Sequence, residues 1–330
     1  MTLELATPGH APARPATHLV RRSGAVILGF THSQSGNRRG NAVRSAVQTP
    51  NPWDPDHTAG SVGSAAAVAA GLAPLAFGSD DGGQTCLAAA YCGVYAHRPS
   101  EPAAHYRARS TTTPPELHGI VSRSADDLEF GVQLLGTATG GVSASWWLQA
   151  RPRHTTLADF RVALLPSLGE TALNSEVAAA YHAFLTDLRR AGVRITELPR
   201  SLGGAIVARP EEAHDLRTAG LIAQREIGRP HGALFGDWDI LLAPAVSAPA
   251  PRLGSAAELQ GPARDAGVAP GHARGLPLTV FPISLTRSLL PIACCAIGPY
   301  LEDRTSIRFA ALVQEMFGGY NRPPGYGSVH

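Results

Sequence analysis

The chain has 330 residues, of which 44% are hydrophobic and 16% are charged, and its formal net charge is +2. This composition is typical of a folded globular chain, and the small net charge gives no reason to expect nucleic acid or a membrane surface as a partner. The 13 histidines show no HxH or HxxxH spacing, and the 4 cysteines form no CxxC pair. These spacings argue against a metal site and indicate buried thiols in a reducing compartment.

Residues 1–17 (MTLELATPGHAPARPAT) are rich in proline and alanine and lack the apolar core of a signal peptide. We expect them to form a loose arm ahead of a single domain that spans residues 18–330. No run of about eighteen apolar residues occurs along the sequence, so no membrane span is predicted. In the absence of a targeting signal, the cytoplasm is the expected location.

The first predicted elements lie in His18–Phe30 (HLVRRSGAVILGF). A short helix is expected to end near Gly24. The following AVILG segment predicts a buried strand, because it is continuously apolar and contains β-branched residues.

The stretch Asn51–Ser100 organises the rest of the chain. Its small-residue run Gly63–Gly71 (GSAAAVAAG) predicts a helix, and a glycine loop, Gly78–Gly83 (GSDDGG), precedes a second small-residue segment, Cys86–Gly93. Glycine loops beside alanine-rich segments suit a site where backbone N–H groups point at a ligand oxygen. Two tight turns between buried helices explain the same spacing equally well.

After this stretch, His118–Gly136 predicts an amphipathic helix that starts at Ser124 or Ala125, with acidic residues in its first turn. A linker over 137–156 carries Trp146 and Trp147, which are candidates for pocket or packing residues. Phe160–Leu165 predicts a strand.

A helix of apolar period 3.6 follows that strand, and Gly192 closes it. Val193–Pro199 predicts a second strand, and this strand–helix–strand order favours parallel pairing. Three later strands are expected, in the ranges Asp237–Pro251, Gly275–Leu285 and Leu289–Thr305. A final helix presents one apolar face, made of Phe309, Leu312, Val313 and Met316.

The segment NPWDPDHTAGSVGSAAAVAAGLAPLAFGSDDGGQTCLAAAYCGVYAHRPS, residues 51–100, resembles the amidase signature family, and the likeness continues with gaps from residue 18 onward. The resemblance implies an α/β fold with a mixed, largely parallel central sheet that is covered by helices on both faces. It also implies a chain shortened at its N-terminus, because the family's early segment with the catalytic lysine has no counterpart here.

Members of that family hydrolyse amides with a Ser–cis-Ser–Lys triad. The nucleophile follows the paired glycines of the second loop, and the residue at that position here is Gln84, whose carboxamide cannot act as such a nucleophile. The cis-serine role falls on Gly60 or Ser61. The sequence contains no lysine, and arginine cannot act as a neutral base near neutral pH.

The same resemblance also implies where the other residues of the family's site lie. Backbone N–H groups at Asp81, Gly82 and Gly83 stand where the family builds its oxyanion hole. Asp80 matches an aspartate of the family loop, and the arginine that pairs with it is replaced by Cys86. An unpaired buried carboxylate is costly, so we expect Asp80 to find another donor or to stay hydrated.

Cys86 has two interpretations. As a replacement nucleophile it needs a base, for which His97 and His57 are candidates by sequence proximity alone. Otherwise it is a buried structural cysteine. The predicted ligand-binding set is Gly60, Asp80, Asp81, Gly82, Gly83 and Cys86.

The favoured hypothesis is an amidase-fold protein that has lost the family's hydrolysis and binds a small amide, acid or acyl ligand, or a partner. The first alternative is a repurposed enzyme of specialised metabolism that uses Asp80, Asp81 and Gln84 for a cyclisation or isomerisation. The others are residual amide hydrolysis by an unrecognised mechanism and a decaying paralogue. No cofactor is expected, since lysine-dependent Schiff bases and Walker-type phosphate loops are excluded. The sequence is compatible with a homodimer and does not decide the oligomeric state.

Overall fold

The computed structural model describes residues 20–21, 23–31, 49–80, 83–100, 118–138, 150–165, 173–198, 235–255 and 276–326. In these ranges eight strands form one sheet in the order β1-β3-β2-β7-β8-β6-β4-β5. The strands are β1 (Leu75–Ser79), β2 (Tyr95–Arg98), β3 (His118–Ser122), β4 (Arg161–Leu164), β5 (Arg194–Glu197), β6 (Ile240–Pro244), β7 (Leu278–Leu285) and β8 (Pro291–Ile297).

The main helices cover both faces of this sheet, as expected. They are α1 (Gly63–Ala69), α2 (Gln84–Cys92), α3 (Ala125–Ala138), α4 (Ser175–Arg190) and α5 (Asp303–Phe317). Helices α1 and α2 share one hydrophobic cluster with the sheet, and α3, α4 and α5 share the other. The mixed α/β class predicted from the sequence is therefore confirmed.

The alternation of side chains along the strands explains the two clusters. Cys295 of β8 packs under α1 and α2, whereas its neighbour Cys294 packs on the opposite side. Leu241 and Leu242 of β6 divide in the same way. Successive residues of a strand point to opposite faces, so a strand buried on both sides has a continuously apolar sequence.

The prediction of a largely parallel sheet is wrong. Strand β4 pairs in parallel with β5 and β6, but the other neighbouring pairs of the described sheet are antiparallel. Two causes are visible. A short turn over 286–290 joins β7 to β8, which forces them antiparallel, and β3 lies between β1 and β2 and runs against both. The predicted parallel crossover of β4, α4 and β5 is present.

The predicted buried strand near residue 27 is also wrong. The turn at Gly24 is present, with a φ of +82°. Residues 25–31 then form no strand with any part of the chain that the structure describes, and Val26 and Leu28 are 83% and 63% exposed. An apolar segment becomes a buried strand only when neighbouring elements cover it, and nothing in its own sequence guarantees that cover.

Most of the final apolar face is buried as expected. Phe309, Leu312 and Val313 of α5 lie in the core, but Met316 is 53% exposed because it falls in the last turn, where the neighbouring positions are also open. Residues 1–17, Trp146 and Trp147 lie outside the described residues. None of the helices in the described ranges combines the length and the apolar character that crossing a membrane requires.

Candidate functional site

The loop before α1 lies directly on α2 at Gly60. Gly60 has a φ of +93°, and a Cβ atom placed on it would lie 3.1 Å from the Cβ atom and 3.2 Å from the Cα atom of Ala88. The Thr58 hydroxyl accepts a hydrogen bond of 3.0 Å from the Gly60 N–H and holds the turn. Only glycine meets both conditions without strain, so this close approach explains the residue.

Asp80 caps the N-terminus of α2. Its Oδ1 atom accepts hydrogen bonds from the backbone N–H groups of Thr85 (2.7 Å) and Cys86 (3.2 Å). Gly83 stands at the capping position itself with a φ of +82°, and its own N–H donates to the Asp80 carbonyl at 3.1 Å. Glycine has no side chain that could accept hydrogen bonds from the free N–H groups of the first turn. The carboxylate of Asp80, three residues earlier, accepts them instead.

The surroundings of Asp80 have opposite effects on the pKa of its carboxyl group. Its side chain is fully buried, and this burial raises the pKa of the carboxyl group, while the positive charge of Arg98 and the two amide hydrogen bonds act to lower it. Asp80 thus finds replacement donors, as expected. Arg98 ends β2 and is itself only 5% exposed.

Cys86 remains a thiol in this environment. Its Sγ atom donates to Asp80 Oδ2 at 3.6 Å. Burial, followed by the negative charge of Asp80, raises the pKa of the Cys86 thiol well above its ordinary value. A thiol with a raised pKa supplies little thiolate and is a poor nucleophile.

The two histidines proposed as bases for Cys86 both face other groups. His97 shares a strand face with Tyr95, on the opposite side of the sheet from Cys86, and its ring nitrogens contact Thr279 at 2.9 Å and Asp303 at 3.1 Å. His57 Nδ1 lies 2.9 Å from a carboxylate oxygen of Asp54. These contacts argue against a Cys–His site and favour the structural interpretation of Cys86.

Ser61 and Gln84 each carry a buried polar atom that has no hydrogen-bond partner in the described ranges, namely Ser61 Oγ and Gln84 Oε1. Gln84 is the first residue of α2, and Ala88, on which Gly60 rests, follows it by one turn on the same helix face. Ser61 directly follows Gly60. The loop before α1 thus lies on the helix that Gln84 begins. An unsatisfied buried polar group costs about 1–3 kcal/mol.

Sequence reasoning missed two features of this site. One is Thr85, which packs on the adjacent strands β1 and β3 where Gly78 and Gly119 pair, since a Cβ atom on Gly78 would lie 2.7 Å from its Oγ1 atom and one on Gly119 would lie 2.9 Å from its Cβ atom. Glycines inside strands β1 and β3 were the available signal, because such glycines often mark a close approach. The other is Arg98, signalled only by a charge at the end of an apolar strand. Asp81 and Gly82 lie outside the described residues.

Comparison with known proteins identifies the family. The family profile named Amidase matches residues 14–203. The chain belongs to the amidase family. A Mycobacterium bovis protein that carries the name amidase AmiA2 is 26% identical over a match that covers 95% of this chain and 76% of that protein.

Two amidotransferase components extend the comparison. A glutamyl-tRNA(Gln) amidotransferase subunit of Thermus thermophilus is 46% identical over 94 residues, a match that covers 27% of this chain and only 20% of that relative. The crystal structure of the corresponding Thermotoga maritima protein has a TM-score of 0.70 at 20% identity and covers 93% of this chain and 78% of that one. This structural likeness supports the amidase fold and leaves the activity open.

Proposed function

We propose that this amidase-family chain binds a small amide, acid or acyl ligand and does not hydrolyse it by the family's mechanism. The observation that carries this proposal is Gln84 at the first position of α2, where the family resemblance places the serine nucleophile. A carboxamide side chain offers no hydroxyl or thiol that could form an acyl-enzyme bond.

The surrounding structure supports retained binding. The helix that carries Gln84 is capped by Asp80, and Gly60 still permits the close approach of the preceding loop. The thiol nearest to this position in sequence, Cys86, is buried and bonded to Asp80, so it offers no replacement for the missing serine. These features support a binding site that keeps the family's scaffold without its nucleophile.

The test combines binding with product detection. Amides, esters and acids are screened by thermal shift against the purified protein, and every hit is analysed by mass spectrometry. We expect stabilisation by ligand with no product. Gln84→Ala should abolish the shift, and Gln133→Ala, which changes an exposed glutamine of α3, should not.

Two other outcomes would replace the proposal. Hydrolysis that disappears in Gln84→Ala and persists in Gln133→Ala would establish a residual amide hydrolase with an unrecognised mechanism. Conversion of a ligand to an isomer or a cyclised product would establish a repurposed enzyme. A chain that shows no cooperative thermal transition would favour a decaying paralogue.

We also propose a cytoplasmic protein that needs no cofactor. The Thermus thermophilus relative is by name one subunit of an amidotransferase, which makes association with another chain worth measuring. Light scattering at several protein concentrations distinguishes a monomer from a homodimer.

A further inference from the structure

A ring of buried polar side chains ties the first turn of α5 to strands β2 and β7. His97 of β2 contacts Thr279 of β7 through Nδ1 at 2.9 Å and Asp303 of α5 through Nε2 at 3.1 Å. Ser306, one turn further along α5, contacts the Thr279 hydroxyl at 2.9 Å. These four residues are 0% exposed, so water cannot replace any of the contacts between them.

The direction of the hydrogen bonds on one side of this ring follows from a carbonyl group. The carbonyl oxygen of Asp303 can only accept, so the Ser306 hydroxyl, 3.1 Å away, donates its hydrogen there. Ser306 therefore accepts from Thr279, whose single hydroxyl hydrogen is used in that bond. Thr279 has no hydrogen left for His97, so their contact requires an N–H on His97 Nδ1.

The carboxylate of Asp303 requires an N–H on the other ring nitrogen. Its Oδ1 atom accepts from the backbone N–H of Ser100 at 2.8 Å, and its Oδ2 atom accepts from the Ser100 hydroxyl at 2.7 Å. Two such donors suit an ionised carboxylate, which has no hydrogen of its own to give. His97 Nε2 must therefore donate to Oδ1. A neutral imidazole carries one N–H and can satisfy only one of its two contacts.

The same contacts fix the start of α5. Leu301 has a φ of +62°, which is unfavourable for a residue with a side chain, and its N–H donates to the Ser100 hydroxyl at 3.0 Å. Glu302, at the capping position of α5, makes no side-chain capping bond. The attachment of this helix end to the sheet therefore depends on Asp303 and on the groups that surround its carboxylate.

Most neighbours of this ring keep their charge near neutral pH. On β3 the residue paired with His97 is Ile120, and β7 carries no titratable residue. Burial raises the pKa of Tyr95 and of Cys294, so both groups stay neutral. The remaining charged residues on the packed elements are arginines and carboxylates, whose charges do not change between about pH 6.5 and pH 8. They are Arg98, Asp126, Asp127, Glu129, Glu302 and Arg304.

Two other histidines lie on neighbouring segments. His118 of β3 is paired in register with Ser79 of β1, and His154 contacts Asp239 at 3.1 Å. Because these histidines also titrate, a pH dependence is assigned to His97 only by comparing variants.

We propose that His97 is held as a doubly protonated imidazolium between Thr279 and the Asp303 carboxylate, and that this buried proton locks α5 onto the sheet, so that loss of the proton weakens the fold. Serine, histidine and aspartate also form catalytic triads, but here the Ser100 hydroxyl donates to Asp303 and every member is buried. The ring is therefore a structural lock that responds to pH. It does not depend on the proposed function at Gln84.

The sign of the pH dependence follows from the count of protons. In an unfolded chain a histidine loses its second proton around pH 6.5. Above that pH the folded chain holds one proton more than the unfolded chain, so stability falls as the pH rises. One extra proton raises the unfolding equilibrium constant by about tenfold for each pH unit. Below about pH 6 both states hold the proton, and His97 adds no pH dependence.

Urea titrations of the wild type and of variants at about pH 6, 7 and 8 test the stability part of the proposal. His97→Gln keeps a donor and removes the titrating ring, so the tenfold change between pH 7 and pH 8 that His97 contributes should be lost. His182→Gln, at an exposed histidine of α4, is the matched control and should keep the wild-type dependence.

Ser306→Ala tests the direction of the hydrogen bonds. Without Ser306 the Thr279 hydroxyl is free to donate to His97 Nδ1, so a neutral ring fits and the pH dependence should shrink. Ser175→Ala, at an exposed serine of α4, should leave it unchanged. A role limited to packing would instead lower stability equally at every pH.

Nitrogen-15 spectra of the protein labelled at histidine observe the ring directly. The His97 signals are assigned by their loss in His97→Gln or their shift in Ser306→Ala, so the test does not depend on one variant folding. We expect both ring nitrogens of His97 to carry a hydrogen at about pH 7.5, at which a free histidine is neutral. A bare ring nitrogen at that pH, or the same pH dependence of stability in the wild type and His97→Gln, would overturn the proposal.

Discussion

Substitution of Gly60 by alanine tests whether the loop before α1 lies on α2 as described. The added Cβ atom would lie 3.1 Å from the Ala88 Cβ atom and 3.2 Å from its Cα atom, at a φ of +93°. Positive φ costs a residue with a Cβ atom about 1–2 kcal/mol. Overpacking against a helix backbone that cannot easily move adds about 1–3 kcal/mol. We therefore expect Gly60→Ala to lower the free energy of unfolding by about 2–5 kcal/mol.

Gly71→Ala is the matched control for this substitution. Gly71 also has a positive φ, of +77°, but a Cβ atom there would meet nothing within 4 Å. It should therefore lose only the backbone contribution of about 1–2 kcal/mol. Urea titration followed by circular dichroism measures both variants against the wild type. Equal losses in the two variants would refute the close contact between the loop and α2, and with it the geometry of the site.

Three further predictions concern buried charge and thiols. Asp239 is 1% exposed and is held by Arg153 and Arg161 at 3.1 and 2.8 Å. Because the two arginines are partly exposed, Asp239→Asn should cost about 1–3 kcal/mol from the weakened hydrogen bonds to the charged groups. Asp187→Asn at an exposed pair should change stability by under about 1 kcal/mol. Burial raises the pKa of Asp239, but the hydrogen bonds from Arg161 and Arg153 outweigh it and hold the pKa below its ordinary value. The contribution of ionised Asp239 to the free energy of unfolding is therefore complete above the unfolded pKa of about 3.9, and it is lost as the pH falls from there through the lower folded pKa. The free energies of unfolding measured by urea titration at about pH 3 and about pH 6 should therefore differ less in Asp239→Asn than in the wild type. Asp80→Ala should cost about 0.5–2 kcal/mol from the lost cap alone, and a stability equal to that of the wild type would contradict the capping role. The thiols should react with a thiol reagent only after unfolding, because all four cysteines are buried and burial raises the pKa of Cys295 to about 12; rapid labelling of the native protein would contradict this.

Local patterns predicted the helices well, for physical reasons that are visible in particular residues. The first turn of α3 carries Asp126 and Asp127 as expected, and the positive φ of Gly192 follows the end of α4. These signals act within a few residues, so the chain itself contains the information. Most of the strands were also located, because a strand buried on both faces leaves a continuous apolar run.

Strand direction could not be predicted in the same way. The insertion of β3 between β1 and β2 depends on which distant segments pair, and the apolar pattern is identical for either direction. The exposure of Val26 and Leu28 could not be predicted for the same reason, since a segment is buried only where other parts of the chain pack against it. The apolar pattern of a segment indicates how many of its faces must be buried, but it does not identify the elements that pack against those faces.

The site residues stay a prediction, although their surroundings can be described. The family resemblance pointed to Gly60, Ser61 and Gln84, and the structure places Gly60 on the helix that Gln84 begins. The replacement charge partner of Asp80 could not be predicted, because Arg98 is separated from it in sequence and approaches it only through the pairing of β2. Conversely, the argument against Cys86 as a nucleophile needed the burial and hydrogen bonding that only a structure supplies.

The most direct test of the central claim is mass-spectrometric analysis of the wild-type protein after prolonged incubation with the amides that stabilise it in the thermal-shift screen. The account predicts that each amide is recovered intact, with neither free acid nor a covalent adduct on the protein, while Gln84→Ala loses the stabilisation. Release of the acid at a rate that depends on Gln84 or Ser61 would contradict the account and show that this chain still hydrolyses amides.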